Sequence, residues 1–268
     1  MVQNNQDLKR ADVWFICHGV RIGPPTMFDF EGEGYKSWVK MGESVRASNP
    51  KGIVIVSAHW ESDYTSDQGI VVSINSELDN PLIYDFYNFP KHFYEERFCS
   101  QSDPAIRKAV KDALTSEGVL IKEEKRGIDH GVWPPLKVVL GEKTTVPILQ
   151  VSLPGDSSPV STAKVGKALS AIRDQGYTVI GSGQTVHNLR DYFSGRPTPY
   201  TEPFLAAASA AVHSSDPVGQ SIGLTKHPLY RSAHPTDEHF LPLVFAVAAA
   251  DPGDKQHGRD KDTFALHL

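Results

Sequence analysis

The sequence predicts an α/β fold: one domain over residues 1–268, built on a central, largely parallel sheet with helices on both faces. Three observations carry that prediction. Short apolar runs rich in β-branched residues alternate with longer segments of helical spacing. The runs 13–17 and 52–58 are almost wholly apolar, as strands buried on both faces are. No linker, internal repeat or low-complexity tract divides the chain.

The elements follow in order. Residues 13–17 read as the first strand. Trp38, Val39, Met41 and Val45 give 35–48 a helical spacing, and Pro50 ends it. Residues 52–58 make a central strand and 69–74 the next. Asp103 followed by Pro104 is a helix start, cap and then first turn. Ile106, Val110, Ala113 and Leu114 form its apolar stripe, and Gly118 stops it. Residues 146–153 are a strand. Ser158 and Pro159 open another helix, with Val165, Leu169 and Ile172 on its buried face and Gly176 at its end. A strand over 177–181 and helices over 202–214 and 237–249 come next. A charged, solvated stretch at 251–262 leads to a last short strand at 263–268.

Composition excludes several classes. With 40% hydrophobic and 22% charged residues, the chain buries a large core and is not a disordered one. A net charge of −5 argues against a nucleic-acid partner held through phosphates. Two cysteines, Cys17 and Cys99, cannot make a disulfide framework for this length. The polar start lacks the apolar stretch of a secretory signal. The longest uncharged apolar run, 240–250, falls far short of the ~20 residues that span a bilayer. A cytoplasmic protein with no membrane or nucleic-acid partner is expected, its oligomeric state open.

The placement of the eleven histidines is the functional signal. His18 follows the first strand, His59 the second, and His187 the strand at 177–181. Ligands of open α/β sheets collect beyond the carboxyl ends of strands, so these three are expected at one sheet edge. Gly19, Gly181 and Gly183 read as backbone freedom for a close approach there. His234 precedes Pro235 and is expected to project from an extended loop. Thr236 reads as the cap of the next helix, with Asp237 and Glu238 in its first turn, which discounts Glu238 as a ligand. Neutral imidazoles suit Zn(II) and Fe(II). Each histidine taken singly is more simply a packed or surface residue, and no His-x-x-x-His or Cys-x-x-Cys spacing adds specificity. The ring-rich segments 84–90 and 129–135 either pack as loops or line an apolar pocket for a flat aromatic molecule, with His130 as a polar contact.

Six ordered motifs carry a resemblance. They are Cys17-His-Gly, Val56-Ser-Ala-His-Trp-Glu, Tyr84-Asp-Phe-Tyr-Asn-Phe-Pro, Gly127-Ile-Asp-His-Gly-Val-Trp, Gly181-Ser-Gly-Gln-Thr-Val-His-Asn-Leu and His234-Pro-Thr-Asp-Glu-His-Phe-Leu-Pro. Together they resemble the class III extradiol ring-cleavage dioxygenases, in the subgroup of 4,5-DOPA extradiol dioxygenase-like proteins. The resemblance implies a single α/β domain, His18, His59 and His234 as metal ligands, His187 as acid/base residue and His130 as substrate contact. It implies Fe(II) for dioxygenase activity, with Zn(II) able to occupy the same site, and a catechol and O2 as substrates. The chain departs from the family where Cys17 replaces the usual serine, at Asn88 and at Val132. Three imidazoles also match a catalytic zinc arrangement, so a zinc hydrolase is the alternative enzyme and a binding scaffold of the same fold the non-enzymatic one. Arg190, Arg231 and Asp129 stand near the motifs and are candidates for holding a charged substrate.

Overall fold

The strand β1 (Val13–Cys17) is buried at all five positions, and the parity of its residues divides them between two cores. Val13, Phe15 and Cys17 enter one core, Trp14 and Ile16 the other. β2 (Gly52–Glu61) divides likewise, with Val54 and Val56 on one side and Ile53 and Ile55 on the other. Successive strand side chains point to opposite faces, so an unbroken apolar run demands cover on both. A computed structural model shows that cover, describing residues 10–18, 28–251, 254 and 265–267.

The remaining elements are α1 (Glu33–Ser48), β3 (Val71–Asn75), α2 (Pro104–Ser116), β4 (Leu120–Glu124), α3 (Trp133–Leu140), β5 (Ile148–Leu153), α4 (Pro159–Leu169), β6 (Tyr177–Gly183), α5 (Leu189–Ser194), α6 (Thr201–Val212), α7 (Pro217–Gly223), α8 (Tyr230–Ala233), α9 (Leu241–Ala249) and β7 (Ala265–His267). The strands form one sheet in the order β4-β3-β5-β2-β6-β1-β7. β5, β2, β6 and β1 are mutually parallel, whereas β3 meets β5, and β7 meets β1, antiparallel. α2, α4, α6 and α9 supply the core on one face, and α1 and α3 the core on the other. The expected single α/β domain with a largely parallel, two-sided sheet is what forms.

Local chemistry accounts for the boundaries. Asp103 caps α2 by accepting the Ile106 amide at 2.7 Å, with Pro104 in the first turn. Asn49, at φ 47°, closes α1 one residue before Pro50. β4 carries Lys122, Glu123 and Glu124 and has no alternating apolar pattern to announce it; those charges suit the exposed edge it occupies. α3 begins at Trp133 with Pro134 and Pro135 in its first turn, where the ring-rich stretch had read as a loop. α9 starts at Leu241 and not at 237: the amides of Phe240 and Leu241 close a single turn onto the Asp237 carbonyl, and Pro242 has no amide to continue the ladder. Thr236 therefore caps nothing; its hydroxyl donates to Glu238 Oε1 at 2.8 Å.

One glycine decides how the site closes. A Cβ on Gly183 of β6 would lie 2.4 Å from the His239 carbonyl, so only glycine lets that segment settle on the strand end. The close approach expected at Gly183 is thus made by the chain leading into α9. Gly19, nearly all of the charged stretch 251–262, and positions 263, 264 and 268 of the expected last strand lie outside the described residues. Among the described residues no helix is long and apolar enough to cross a membrane.

Candidate metal centre

His18 leaves the end of β1 with its amide on the Gly183 carbonyl at 3.2 Å, which ties it to the end of β6. His59 lies near the end of β2, where the ladder with β5 shifts register between Val56 and Glu61. Such an irregularity re-aims side chains, and His59 is half-buried where the strand before it is fully buried. The two rings meet: His18 Nε2 and His59 Nε2 stand 3.1 Å apart.

The other ring nitrogens show which protons are present. Ser182 donates its one hydroxyl proton to the Gly131 carbonyl at 2.5 Å, so its contact with His18 Nδ1 at 2.9 Å is one in which His18 donates. His59 Nδ1 faces the acceptor-only carboxylate of Asp85 at 3.4 Å. A neutral imidazole with its proton on Nδ1 has a bare lone pair on Nε2. Burial, followed by the neighbouring imidazoles, pushes the His18 pKa well below its ordinary value. Burial, then the charges of His130 and His239, lower that of His59 to about 2 against an opposing pull from Asp85. Both rings are therefore neutral near pH 7, and two lone pairs face each other across 3.1 Å.

Three further histidines border this contact. His130 has its ring centroid 4.0 Å from that of His59 and 5.8 Å from that of His18. His18, His59 and His130 each place a ring nitrogen within 4.8 Å of the others, a group able to hold a metal ion. His239 has its ring 5.3 Å from His18 and 5.0 Å from His59. Its Nδ1 stands 3.0 Å from Glu238 Oε1. Burial alone would raise the Glu238 pKa, but hydrogen bonds from His239 and Thr236 bring it down to about 2. The ionised Glu238 accepts from His239 Nδ1, and Nε2 is the nitrogen turned away from that contact. His187 lies flat on His239, 3.5 Å between centroids and 7° between planes. Burial, then His239, lowers its pKa to about 4 against the pull of Glu238. His187, Glu238 and His239 form a second group with donor atoms within 4.8 Å of one another.

His234 stands elsewhere. It leaves α8 in the extended conformation that Pro235 demands, at φ −133° and ψ 91°. Its fully buried ring packs among Phe204, Tyr230 and Phe240. Its Nε2 is 2.8 Å from the Thr185 carbonyl and so carries the proton, while its buried Nδ1 has no hydrogen-bond partner among the described residues. His234 belongs to neither donor group. The sequence reading passed over His239, whose only signal was a place five residues on in the same motif, and it discounted Glu238 on a helix start that does not form.

Asp129 is also committed. It is fully buried and accepts from Ser57 Oγ at 2.7 Å, Gln150 Nε2 at 2.5 Å, the Gly131 amide at 3.0 Å and Arg126 at 3.1 Å. Arg126 in turn donates to the His59 carbonyl at 3.0 Å, so the network pins the end of β2 to the turn bearing His130. Arg231 pairs with Asp237 at 2.8 Å, and the Arg190 side chain is 87% exposed. None of the three is a free charge facing the histidines. Phe86, Tyr84 and Trp133 pack in tilted and edge contacts beside His130 and give the site an aromatic flank.

Residues 20–265 match the model of the catalytic LigB subunit of aromatic ring-opening dioxygenase. The chain belongs to this family. Among LigB-type relatives, a 4,5-DOPA dioxygenase extradiol of Beta vulgaris is 31% identical over 91% of this chain and 88% of its own length. One of Escherichia coli is 29% identical over 81% of this chain and 78% of its own. The crystal structure of an uncharacterized Escherichia coli K12 protein superposes with a TM-score of 0.72 at 25% identity, covering 96% of this chain and 98% of that one. These findings support the class III extradiol superfamily and its DOPA-type subgroup. The LigB family is metal-dependent and opens aromatic rings with O2, and the imidazole cluster at the sheet edge is compatible with such a metal.

Proposed function

We propose that this protein is, over residues 1–268, a single catalytic domain: a non-haem, metal-dependent extradiol dioxygenase that cleaves a catechol such as DOPA to a ring-opened semialdehyde. The contact between His18 Nε2 and His59 Nε2 carries the reading. Two buried lone pairs with no proton between them repel unless a cation sits against both. Two nitrogens bound to one ion at ~2.0–2.1 Å stand roughly 3.0–3.4 Å apart, and 3.1 Å lies in that range. As third ligand, in the place the sequence reading gave to His234, we assign His239, whose Nδ1 meets Glu238 and whose ring lies 5.3 and 5.0 Å from those of His18 and His59; His130, which shares the donor group of His18 and His59, is the other imidazole able to complete the set. His234 instead anchors the Thr185 carbonyl two residues before His187.

Held by these imidazoles, Fe(II) would supply the Lewis-acid and redox chemistry that ring opening with O2 needs. The protein's own groups do the rest. His187, neutral near pH 7, accepts a catechol hydroxyl proton and later returns one. His130 contacts the substrate from the opposite flank, backed by Phe86. Asp129 and Arg231 are paired elsewhere and Arg190 is exposed, so none of the three is assigned to a charged side chain of the catechol. Cys17 and Cys99 are both unpaired, which suits a cytoplasmic setting.

The test is metal exchange. Metal-free protein refilled anaerobically with Fe(II), then given catechols and air, should consume O2 and produce a coloured semialdehyde. The Zn(II) form should not, since zinc has no redox couple to offer. Ester or amide cleavage by the Zn(II) form without ring opening by the Fe(II) form would select the hydrolase, which the all-imidazole donor set also suits. Activity with neither metal would select the scaffold.

A further inference from the structure

The segment 84–90 supplies more than rings. Asp85 reaches into the cluster from it and meets two histidines carried by different parts of the fold. Its Oδ2 stands 3.4 Å from His59 Nδ1. Its Oδ1 stands 2.9 Å from His130 Nδ1 and accepts the His130 backbone amide at 2.9 Å. The carboxylate is only partly exposed, its side chain at 22%.

We infer that Asp85 is a positioning residue: its carboxylate, held on the His130 backbone amide, turns only acceptors toward His59 Nδ1 and so keeps the His59 Nε2 lone pair aimed at the ion. The inference rests on the metal reading above and assigns it a part that neither ligands nor acid/base residue perform. A carboxylate suits this place because both oxygens only accept. An asparagine of the same shape offers one oxygen and one NH2. The His130 amide claims the oxygen, so the NH2 faces His59 Nδ1 and forces that nitrogen to accept. The His59 proton then moves to Nε2, where it blocks the metal. Carboxylates behind metal-bound histidines act in this way, and losing one typically costs about 10–100-fold in metal affinity.

The test has two readouts. In metal-free protein, 15N shifts of the His59 ring should show the Nδ1–H tautomer in the wild type and the Nε2–H tautomer in Asp85→Asn. In competition with a chromophoric chelator, Asp85→Asn should hold Zn(II) about 10–100-fold more weakly than the wild type. Asp85→Glu, which keeps two acceptors, should recover most of that loss. Wild-type Zn(II) affinity in Asp85→Asn, or an Nε2–H His59 in the wild type, overturns the inference; the wild-type spectrum decides even where the variant does not fold. Failure of the metal reading looks different: the wild type, or a His18→Ala/His59→Ala variant of equal affinity, would then show no Zn(II) dependence on these two rings, whatever Asp85 does to the tautomer.

Discussion

His187 lies parallel to His239 at 3.5 Å between centroids, so the ring assigned to proton transfer rests on a ring assigned to the ion. The stack gives adjacent imidazoles separate duties, because the Nδ1 of His239 is occupied by Glu238. His187→Ala should therefore keep its metal and lose turnover by ~10²–10⁴-fold, the usual cost of losing a general acid/base group. His239→Ala should lose the metal itself. Metal analysis of both purified variants beside their initial rates checks the division; equal metal loss in the two would contradict it.

His234→Ala separates the two histidines of one motif. The residue is fully buried among Phe204, Tyr230 and Phe240, so its removal leaves a cavity and an unanswered Thr185 carbonyl. Chemical denaturation should show a loss of about 2–4 kcal/mol, with metal stoichiometry unchanged. A stable variant lacking metal would return His234 to the ligand set.

Asp129→Ala should cost more than a surface charge. Breaking a buried ion pair by removing one partner typically costs ~3–5 kcal/mol, and here Arg126, Gln150 and Ser57 would lose an acceptor together. Denaturant midpoints of wild type and variant give the number; a loss under about 1 kcal/mol would show that Asp129 does not organise the turn bearing His130.

Acid should destabilise the metal-free protein earlier than carboxylate titration alone predicts. Burial lowers the pKa of His59 to about 2 in the folded state, and those of His187 and His234 to about 4. An unfolded histidine titrates near ~6.5, so between these values the unfolded chain binds more protons and stability rises with pH. The contribution is complete above ~6.5 and is lost as pH falls toward about 4 for His187 and His234, and lower still for His59. Thermal midpoints should fall steadily from pH 7 to pH 5, and His234→Ala should flatten that slope. A flat profile across that interval would contradict the neutral, buried rings.

The layered fold was legible because burial writes itself into sequence: β1 and β2 are apolar at both parities, and only a two-sided sheet hides them. β4 was not legible, since Leu120-Ile-Lys-Glu-Glu124 is an edge strand set by pairing with β3 and not by an apolar pattern. His18, His59 and His187 were expected at one sheet edge from their places after strands, and their rings gather there around His239. His239 was not, because its position depends on where α9 begins, and that turn is made by backbone bonds to Asp237 that side-chain propensity does not announce. Nor does the sequence announce that burial, then His239, lowers the His187 pKa. Tautomers lay further still from the sequence, since they follow from which of Ser182, Asp85 and Glu238 stands behind each ring.

The most direct measurement is metal stoichiometry and affinity in the wild type beside His18→Ala and His59→Ala, using Co(II) absorption and Zn(II) competition on folded, metal-free protein. One ion per chain in the wild type, lost in both single variants, is the predicted result. A wild type that takes up no ion, or variants that bind as it does, would contradict the shared ion on which the rest depends.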